Sequence, residues 1–169
     1  AMTLCYLGLG ANLAEPLQQL QQAVLVLSQL PGCRLVAVSS FYGSKPMGPQ
    51  DQPDYVNAVA ALETSCNAEQ LLDQLQHIEL NQGRERKAER WGARSLDLDI
   101  LLFGDQVINS TRLTVPHYGM KVREFVLYPL AEIAPALQLP DGSSLAELLT
   151  QVPRNGLTVL AASQLPVDA

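Results

Sequence analysis

Apolar and polar residues recur with two different periods along the chain, and these periods predict the secondary structure. Residues 3–9, 34–42 and 55–63 are short apolar segments typical of strands. Between the first two of them, apolar residues recur at helical spacing from Pro16 up to the Pro31-Gly32 pair: Leu17, Leu20, Val24 and Leu27. Gly8, Gly10 and Asn12 predict a turn at the end of the first strand.

The second half of the chain begins with a helix signal. Asn67 followed by Gln70 resembles a capping box, and apolar residues at helical spacing follow it: Leu71, Leu72, Leu75 and Ile78. Residues 81–92 are polar and basic, which favours a loop, and residues 94–103 resemble a strand. Further elements are predicted at residues 107–109 (a short strand), 118–134 (a helix broken at Pro129) and 145–149 (a short helix).

The order β-α-β-β-α-β predicts a ferredoxin-like α/β (α+β) fold, with an antiparallel sheet, helices on one face and additional C-terminal elements. A length of 169 residues with 47% hydrophobic residues suits one domain, residues 1–169. Apolar runs do not reach 18 residues, and the start lacks the pattern of a signal peptide, so we expect a cytoplasmic protein without a membrane partner. Cys5, Cys33 and Cys66 have no zinc or disulfide spacing and are expected to be reduced thiols.

Two acids on the strand RSLDLDILLF raise a physical problem. Asp97 and Asp99 alternate with aliphatic residues, so both carboxylates project from one face of the strand. Like charges about 6–7 Å apart repel by roughly 2–3 kcal/mol at an effective dielectric of about 20. A cation between them would relieve this repulsion, and paired carboxylates suit Mg²⁺. The alternative is a pair of exposed acids on an edge strand.

Positive charge is concentrated around this strand. The net charge of −6 argues against general binding to nucleic acid, yet residues 84–123 hold eight of the eleven Lys and Arg with only five acids. This distribution indicates either a local anion site or a solvated charged loop. Arginines beside a carboxylate pair are typical of phosphoryl transfer, where catalysis depends on positioning and charge neutralisation.

Three further patterns bear on chemistry. The Gly8-Leu-Gly10 segment lacks the third glycine of a dinucleotide-binding fingerprint, and the chain has no P-loop motif. His117 follows a proline near several cations and is a candidate hydrogen-bond donor to a phosphate group. His77 lies on a predicted helix, which favours an ordinary structural role for it. Tyr55 and Asn57 share one strand face and could hold a flat heterocycle, or could simply be a core residue and a turn cap.

Three segments together carry a family resemblance: FYGSKPMGPQDQPDYVNAV, GRERKAERWGARSLDLDILLFGDQVI and RLTVPHYGMKVREFVLYPLAEIAP. They resemble 6-hydroxymethyl-7,8-dihydropterin pyrophosphokinase of folate biosynthesis, over residues 3–142, and residues 143–169 are left without a function. The resemblance implies a monomeric enzyme that transfers the diphosphate of ATP to the pterin hydroxymethyl group, with two Mg²⁺ ions. Lys45 departs from the neutral residue, often proline, that the family has there.

The resemblance also implies roles for individual residues. The metal ligands would be Asp97 and Asp99, and Arg84 and Arg94 would act with them as catalytic residues on the transferring phosphates. The residues expected around ATP are Gln76, Glu79, Arg86, Trp91, Ile100, Arg112, Thr114, His117, Tyr118 and Arg123. Those expected around the pterin are Ser44, Met47, Tyr55, Asn57, Trp91 and Phe125.

Two other functions fit parts of the pattern. Nucleotidyl transfer also uses two carboxylates and two metals on a ferredoxin-like fold, but it releases pyrophosphate rather than AMP. An RNA-binding domain of this fold would need exposed aromatic residues and a basic face on its central strands, whereas here Asp97 and Asp99 occupy that position.

Overall fold

A computed structural model describes residues 1–12, 15–44, 55–86 and 96–163 of the chain. The strands are β1 (Thr3–Ala11), β2 (Cys33–Val38), β3 (Phe41–Ser44), β4 (Tyr55–Thr64), β5 (Asp97–Phe103), β6 (Ile108–Asn109), β7 (Thr114–Val115) and β8 (Thr158–Ala161). The helices are α1 (Pro16–Leu27), α2 (Ala68–Arg86), α3 (Glu124–Ile133) and α4 (Leu145–Gln151), with a 3-10 turn at Met120–Val122.

The main sheet is antiparallel at every pairing of its described strands. Its order is β5-β1-β4-β3-β8, and β2 also pairs with β4. The β6 and β7 strands form a separate two-stranded ribbon beside β5. The predicted antiparallel sheet with helices and additional C-terminal elements is confirmed.

Helices cover both faces of the sheet, whereas the sequence pattern predicted one covered face. Leu7 and Leu9 of β1 belong to a core with residues of α1 and α2, such as Leu20 and Leu75. A second core joins the opposite face to α3 and α4: Val59, Leu101, Leu127, Leu130 and Leu145. The additional C-terminal helices are the reason, because they supply the apolar side chains that this second face needs.

Several predicted boundaries were wrong. The first strand does not turn at Gly8 and Gly10 but continues to Ala11, because β4 and β5 pair with β1 on both sides of these glycines. The α2 helix extends to Arg86 and so includes the first part of the predicted loop at 81–92. Pro129 lies inside α3 without ending it, where packing of its apolar neighbours in the core compensates for the lost backbone hydrogen bond.

The predicted strand at 34–42 is two strands separated by Ser39 and Ser40. Ser40 donates both its backbone N–H (2.9 Å) and its hydroxyl (2.8 Å) to the carboxylate of Glu132 on α3. Tyr42 of β3 donates its hydroxyl to the same carboxylate at 2.7 Å. This carboxylate therefore fixes the start of β3 onto α3. Strand β8 was not predicted, and it pairs with the outer edge of β3.

The predicted capping box at the start of α2 is confirmed. The Asn67 backbone N–H donates to the Gln70 side chain, and the Gln70 backbone N–H donates to the Asn67 side chain, both at 2.9 Å. These two bonds satisfy donors that the first turn of a helix leaves without partners.

Replacing Asn67 with alanine should reduce the free energy of unfolding by about 1 kcal/mol, because a helix cap is lost. Urea unfolding followed by circular dichroism would measure this, with an unchanged m-value. Asn81→Ala, at an exposed position on the same helix, is the matched control and should have little effect. Equal stability of the two variants would contradict the capping role.

Candidate active site

The acid pair lies on β5, at the edge of the main sheet. Asp97 and Asp99 lie directly across from Gly10 and Gly8 of β1. Asp97 is half-buried, and the side chain of Asp99 is 52% exposed. The two carboxylates therefore stand on one face of the sheet, beside residues that have no side chains of their own.

A bond from α2 holds this strand in place. The Glu79 carboxylate accepts the Leu98 backbone N–H at 2.7 Å. Leu98 lies between the two acids, and its own side chain is buried in the core on the opposite face. Glu79 therefore fixes the position of the β5 backbone between the two acids.

A pocket of about 310 Å³ opens next to the acid pair. It lies between α2, β5 and the segment that contains the β6–β7 ribbon. Eight residues predicted for the acids and the ATP site line it: Gln76, Glu79, Asp99, Ile100, Arg112, Thr114, His117 and Tyr118. The structure thus brings into one cavity residues that are separated by up to 42 positions in sequence.

Arg112 is held at this pocket by acids of α2. Its guanidinium forms ion pairs with Glu69 at 3.1 Å and Asp73 at 2.6 Å, and donates to the Gln76 side chain at 3.2 Å. The hydrogen bond to Asp73 raises the pKa of Arg112 further above its ordinary value. The guanidinium is thus held in a fixed position on one wall of the pocket, with its charge balanced by the acids of α2.

His117 lies on the side of the pocket nearest the acids. Its Nε2 atom is 3.9 Å from Oδ2 of Asp99, and its Nδ1 atom accepts the Gly119 backbone N–H at 3.2 Å. Burial lowers the pKa of His117, the nearby Arg123 lowers it too, and Asp99 opposes both effects. Because Nδ1 accepts a hydrogen bond, the neutral ring carries its proton on Nε2, which can donate to an anion in the pocket.

Two aromatic residues, Tyr118 and Phe125, follow His117 as far as the first turn of α3. The ring of Tyr118 stacks on His117 with centroids 4.7 Å apart, and it is 81% exposed. The guanidinium carbon of Arg123 lies 5.5 Å from the Tyr118 ring centroid and 5.8 Å from that of Phe125. Arg123 therefore lies between Tyr118, which lines the pocket, and Phe125, a ring expected to contact the pterin.

The residues expected to bind the pterin lie two strands away from the acids. Tyr55 and Asn57 share one face of β4, and Asn57 pairs with Gly10, which in turn pairs with Asp97. Neighbouring strands are about 4.8 Å apart, so Asn57 and Asp97 stand on strands roughly 10 Å apart. Phe125 is on α3, which packs against β4.

Some predicted site residues lie outside the part of the chain that the structure describes. These are Met47, Trp91 and Arg94, together with the departure at Lys45. For Ser44, Arg84 and Arg86 the structure gives the backbone, at the end of β3 and in the last turn of α2. Their predicted roles remain predictions.

The structure also adds site residues that the sequence did not predict. Ser110 and Thr111 line the pocket, and Glu69 and Asp73 hold Arg112. Ser110 also contacts the Glu69 carboxylate at 3.2 Å. The acids occur four residues apart on α2, a spacing that places them on one helix face and that could have indicated a cation site.

Fold and site together define an antiparallel α/β protein with a carboxylate pair beside a pocket that is lined by Arg112 and His117. The family model for 7,8-dihydro-6-hydroxymethylpterin-pyrophosphokinase matches residues 6–135, and the chain belongs to this family. The predicted resemblance is confirmed.

Curated relatives agree with this assignment. The chain is 58% identical over 152 residues to 2-amino-4-hydroxy-6-hydroxymethyldihydropteridine pyrophosphokinase of Pseudomonas aeruginosa, covering 90% of this chain and 93% of that one. Identity to the protein of the same name from Haemophilus influenzae is 55% over 150 residues, with coverages of 89% and 93%.

Solved structures share the fold at low sequence identity. The Plasmodium falciparum HPPK-DHPS wild-type structure matches with a TM-score of 0.69 at 13% identity, covering 89% of this chain. A second structure, of an HPPK-DHPS in complex with substrates, matches with a TM-score of 0.68 at 11% identity, covering 88% of this chain. This chain spans 41% and 43% of those two chains, less than half of each.

Two properties of the described residues bear on other predictions. Among them we find no helix with the length and apolar character needed to cross a bilayer. The described ranges also contain no group of three or more His, Cys, Asp or Glu residues arranged around a metal ion.

Replacing Arg112 with glutamine should weaken binding of a non-hydrolysable ATP analogue by about tenfold, because a charge-assisted contact to phosphate is lost. The melting temperature should change little, since exposed ion pairs add little stability. Isothermal titration calorimetry would measure the affinity. Arg34→Gln, which removes an exposed ion pair with Glu63 on β4, is the matched control. Unchanged affinity in the Arg112 variant would contradict its place in the nucleotide site.

Proposed function

We propose that this chain transfers the terminal diphosphate of ATP to 6-hydroxymethyl-7,8-dihydropterin, giving the pterin diphosphate and AMP for folate biosynthesis. One observation carries this proposal: Asp97 and Asp99 lie between the pocket that contains Arg112 and the β4 face that contains Asn57. Two substrates bound on the two sides would therefore meet at the carboxylates.

The acid pair suits Mg²⁺, and we infer that two ions bind there. The donor set consists of two carboxylates on one face, which are hard oxygen ligands, and half of the Asp99 side chain is accessible. Phosphate oxygens of ATP, the substrate hydroxyl and water would complete the coordination. Bound Mg²⁺ supplies charge neutralisation and makes a coordinated hydroxyl easier to deprotonate.

The residues of this chain divide the work of positioning. Arg112 and His117 would hold the phosphates, with Tyr118 and Arg123 at the open side of the pocket. Gln76, Glu79, Ile100 and Thr114 would surround the rest of the nucleotide. Arg84 and Arg94 are proposed to contact the transferring phosphates, and Arg86 and Trp91 to contact the nucleotide. Such positioning accounts for most of the catalysis in phosphoryl transfer.

On the other side, Asn57 would pair with the pterin while Tyr55 and Phe125 would stack on it, with further contacts from Ser44, Met47 and Trp91. The pterin hydroxyl then attacks the β-phosphorus in line. A bond forms between the hydroxyl oxygen and that phosphorus, and the bond from the phosphorus to the AMP oxygen breaks. The hydroxyl proton leaves toward the carboxylate pair, and AMP departs.

We further propose that the enzyme acts as a cytoplasmic monomer with one pyrophosphokinase domain over residues 1–169. The monomeric state follows from the family resemblance, and two observations support the compartment and the single domain. All three cysteines are free thiols, in keeping with a reducing compartment, and β8 of the C-terminal part belongs to the main sheet. Burial raises the pKa of the Cys5 thiol to about 12, so it stays protonated and unreactive.

The decisive experiment is a product assay with purified protein, MgATP and 6-hydroxymethyl-7,8-dihydropterin, in which chromatography separates AMP, ADP and pyrophosphate. The proposal requires AMP that forms only when the pterin is present. ADP would indicate transfer of one phosphoryl group, and pyrophosphate would indicate nucleotidyl transfer. Either result would overturn the proposal.

Replacing Asp97 with asparagine should lower the rate of AMP formation by at least about a hundredfold, because the transition state loses charge stabilisation. The variant should remain folded, since Asp97 is half-buried at a sheet edge. Asp105→Asn removes an exposed acid just beyond the end of the same strand and is the matched control. Near-normal turnover in the Asp97 variant would exclude the acid pair as the catalytic centre.

A further inference from the structure

A row of four residues crosses the sheet below the proposed pterin site. Tyr42 of β3 pairs with Asn57 of β4, Asn57 pairs with Gly10 of β1, and Gly10 pairs with Asp97 of β5. Directly paired residues of an antiparallel sheet point to the same face, so all four share one surface. Asn57 thus lies between a tyrosine ring and a residue that has no side chain.

The tyrosine side of Asn57 is filled. Tyr42 is 6% exposed, and its hydroxyl donates to the Glu132 carboxylate at 2.7 Å. The same carboxylate accepts two bonds from Ser40, which fixes its position. The ring of Tyr42 therefore has little freedom to move aside for Asn57.

The side-chain amide of Asn57 lies on the side that faces Gly10. A Cβ atom built on Gly10 with ideal geometry would be 2.9 Å from Nδ2 of Asn57, too close for a carbon and an amide nitrogen. Asn57 is 8% exposed, so its amide occupies enclosed space. The absence of a side chain at position 10 is what provides that space.

We infer that Gly10 is a positioning residue for substrate specificity: it leaves room for the Asn57 amide to lean toward Asp97, in the orientation that recognises the hydrogen-bonding edge of the pterin. The inference rests on the proposed function, since it assigns Asn57 to the pterin. It also gives a role to the Gly8-Leu-Gly10 segment, which is neither a turn nor a dinucleotide-binding motif in the structure.

Gly10 lies inside a strand, where alanine can be substituted with a clear expectation. Glycine in the interior of a strand is ordinarily less favourable than alanine, so replacing it should do no harm unless space is lacking. Gly8, two residues earlier on the same face, provides the comparison. The atoms nearest to a Cβ there belong to the flexible Leu101 side chain, the first at 3.4 Å, an ordinary van der Waals distance.

The test compares Gly10→Ala with Gly8→Ala in steady-state assays and in binding of the pterin in the presence of a non-hydrolysable ATP analogue. We expect Gly10→Ala to raise the KM and Kd for the pterin by about tenfold to a hundredfold, as expected when a binding group is displaced by about 1 Å. Its affinity for the ATP analogue should stay within about twofold. Gly8→Ala should resemble the wild type in pterin binding, since its Cβ would lie at an ordinary distance from the Leu101 side chain.

A double-mutant cycle with Asn57→Ala then tests the cause. If Gly10 acts through the Asn57 amide, adding Gly10→Ala to the Asn57→Ala background should change pterin affinity by less than about twofold. Full multiplication of the two single effects would overturn the inference, as would normal pterin binding by Gly10→Ala itself.

Melting temperatures show whether Gly10→Ala acts through the fold or through pterin binding. If Gly10→Ala lowers the melting temperature of the wild type, it should not lower that of Asn57→Ala, because the overlapping amide has been removed. A double variant that is clearly less stable than Asn57→Ala alone would also overturn the inference. Wild-type protein that makes no AMP from ATP and pterin would contradict the proposed function instead, and the melting temperatures would still report on the contact between positions 10 and 57.

Discussion

The pairing of β1 with β4 on one side and β5 on the other is the constraint on which the site depends. Side chains on a strand alternate between faces, so a shift of one residue at either pairing would move its partners to the opposite face. The observed register brings Asn57 and Asp97 into line with Gly10. Backbone hydrogen bonds between the strands therefore fix the positions of Asn57 and Asp97 before any substrate binds.

The two faces of the sheet serve this register in different ways. The face toward α1 and α2 is filled with aliphatic residues such as Leu7, Leu9 and Ile100, and their burial opposes any slip of β1. The opposite face is apolar near α3 and polar toward the site. Glu132 joins α3 to β3, and Glu79 joins α2 to β5, so each of these two strands is fixed by a carboxylate from a helix.

Sequence patterns predicted the parts of this structure that depend on local periodicity. The Asp97-x-Asp99 alternation, the capping box at Asn67 and the face shared by Tyr55 and Asn57 all follow from spacings of a few residues. The long-range contacts could not be predicted in this way. The Arg112 ion pairs with Glu69 and Asp73 join positions about 40 residues apart. A local sequence pattern does not show that such residues are close in space. Gly10 was misassigned because glycine is common in turns, and only the neighbouring strands show that it lies inside a sheet.

Arg112 lies at the proposed nucleotide pocket with counter-ions that the protein itself provides. In the described structure its guanidinium is already neutralised by Glu69 and Asp73, so it does not need to gather anions from the solvent. An arriving phosphate would exchange with these carboxylates rather than displace mobile salt ions. Nucleotide affinity would then depend less steeply on ionic strength than the number of cations around the pocket suggests.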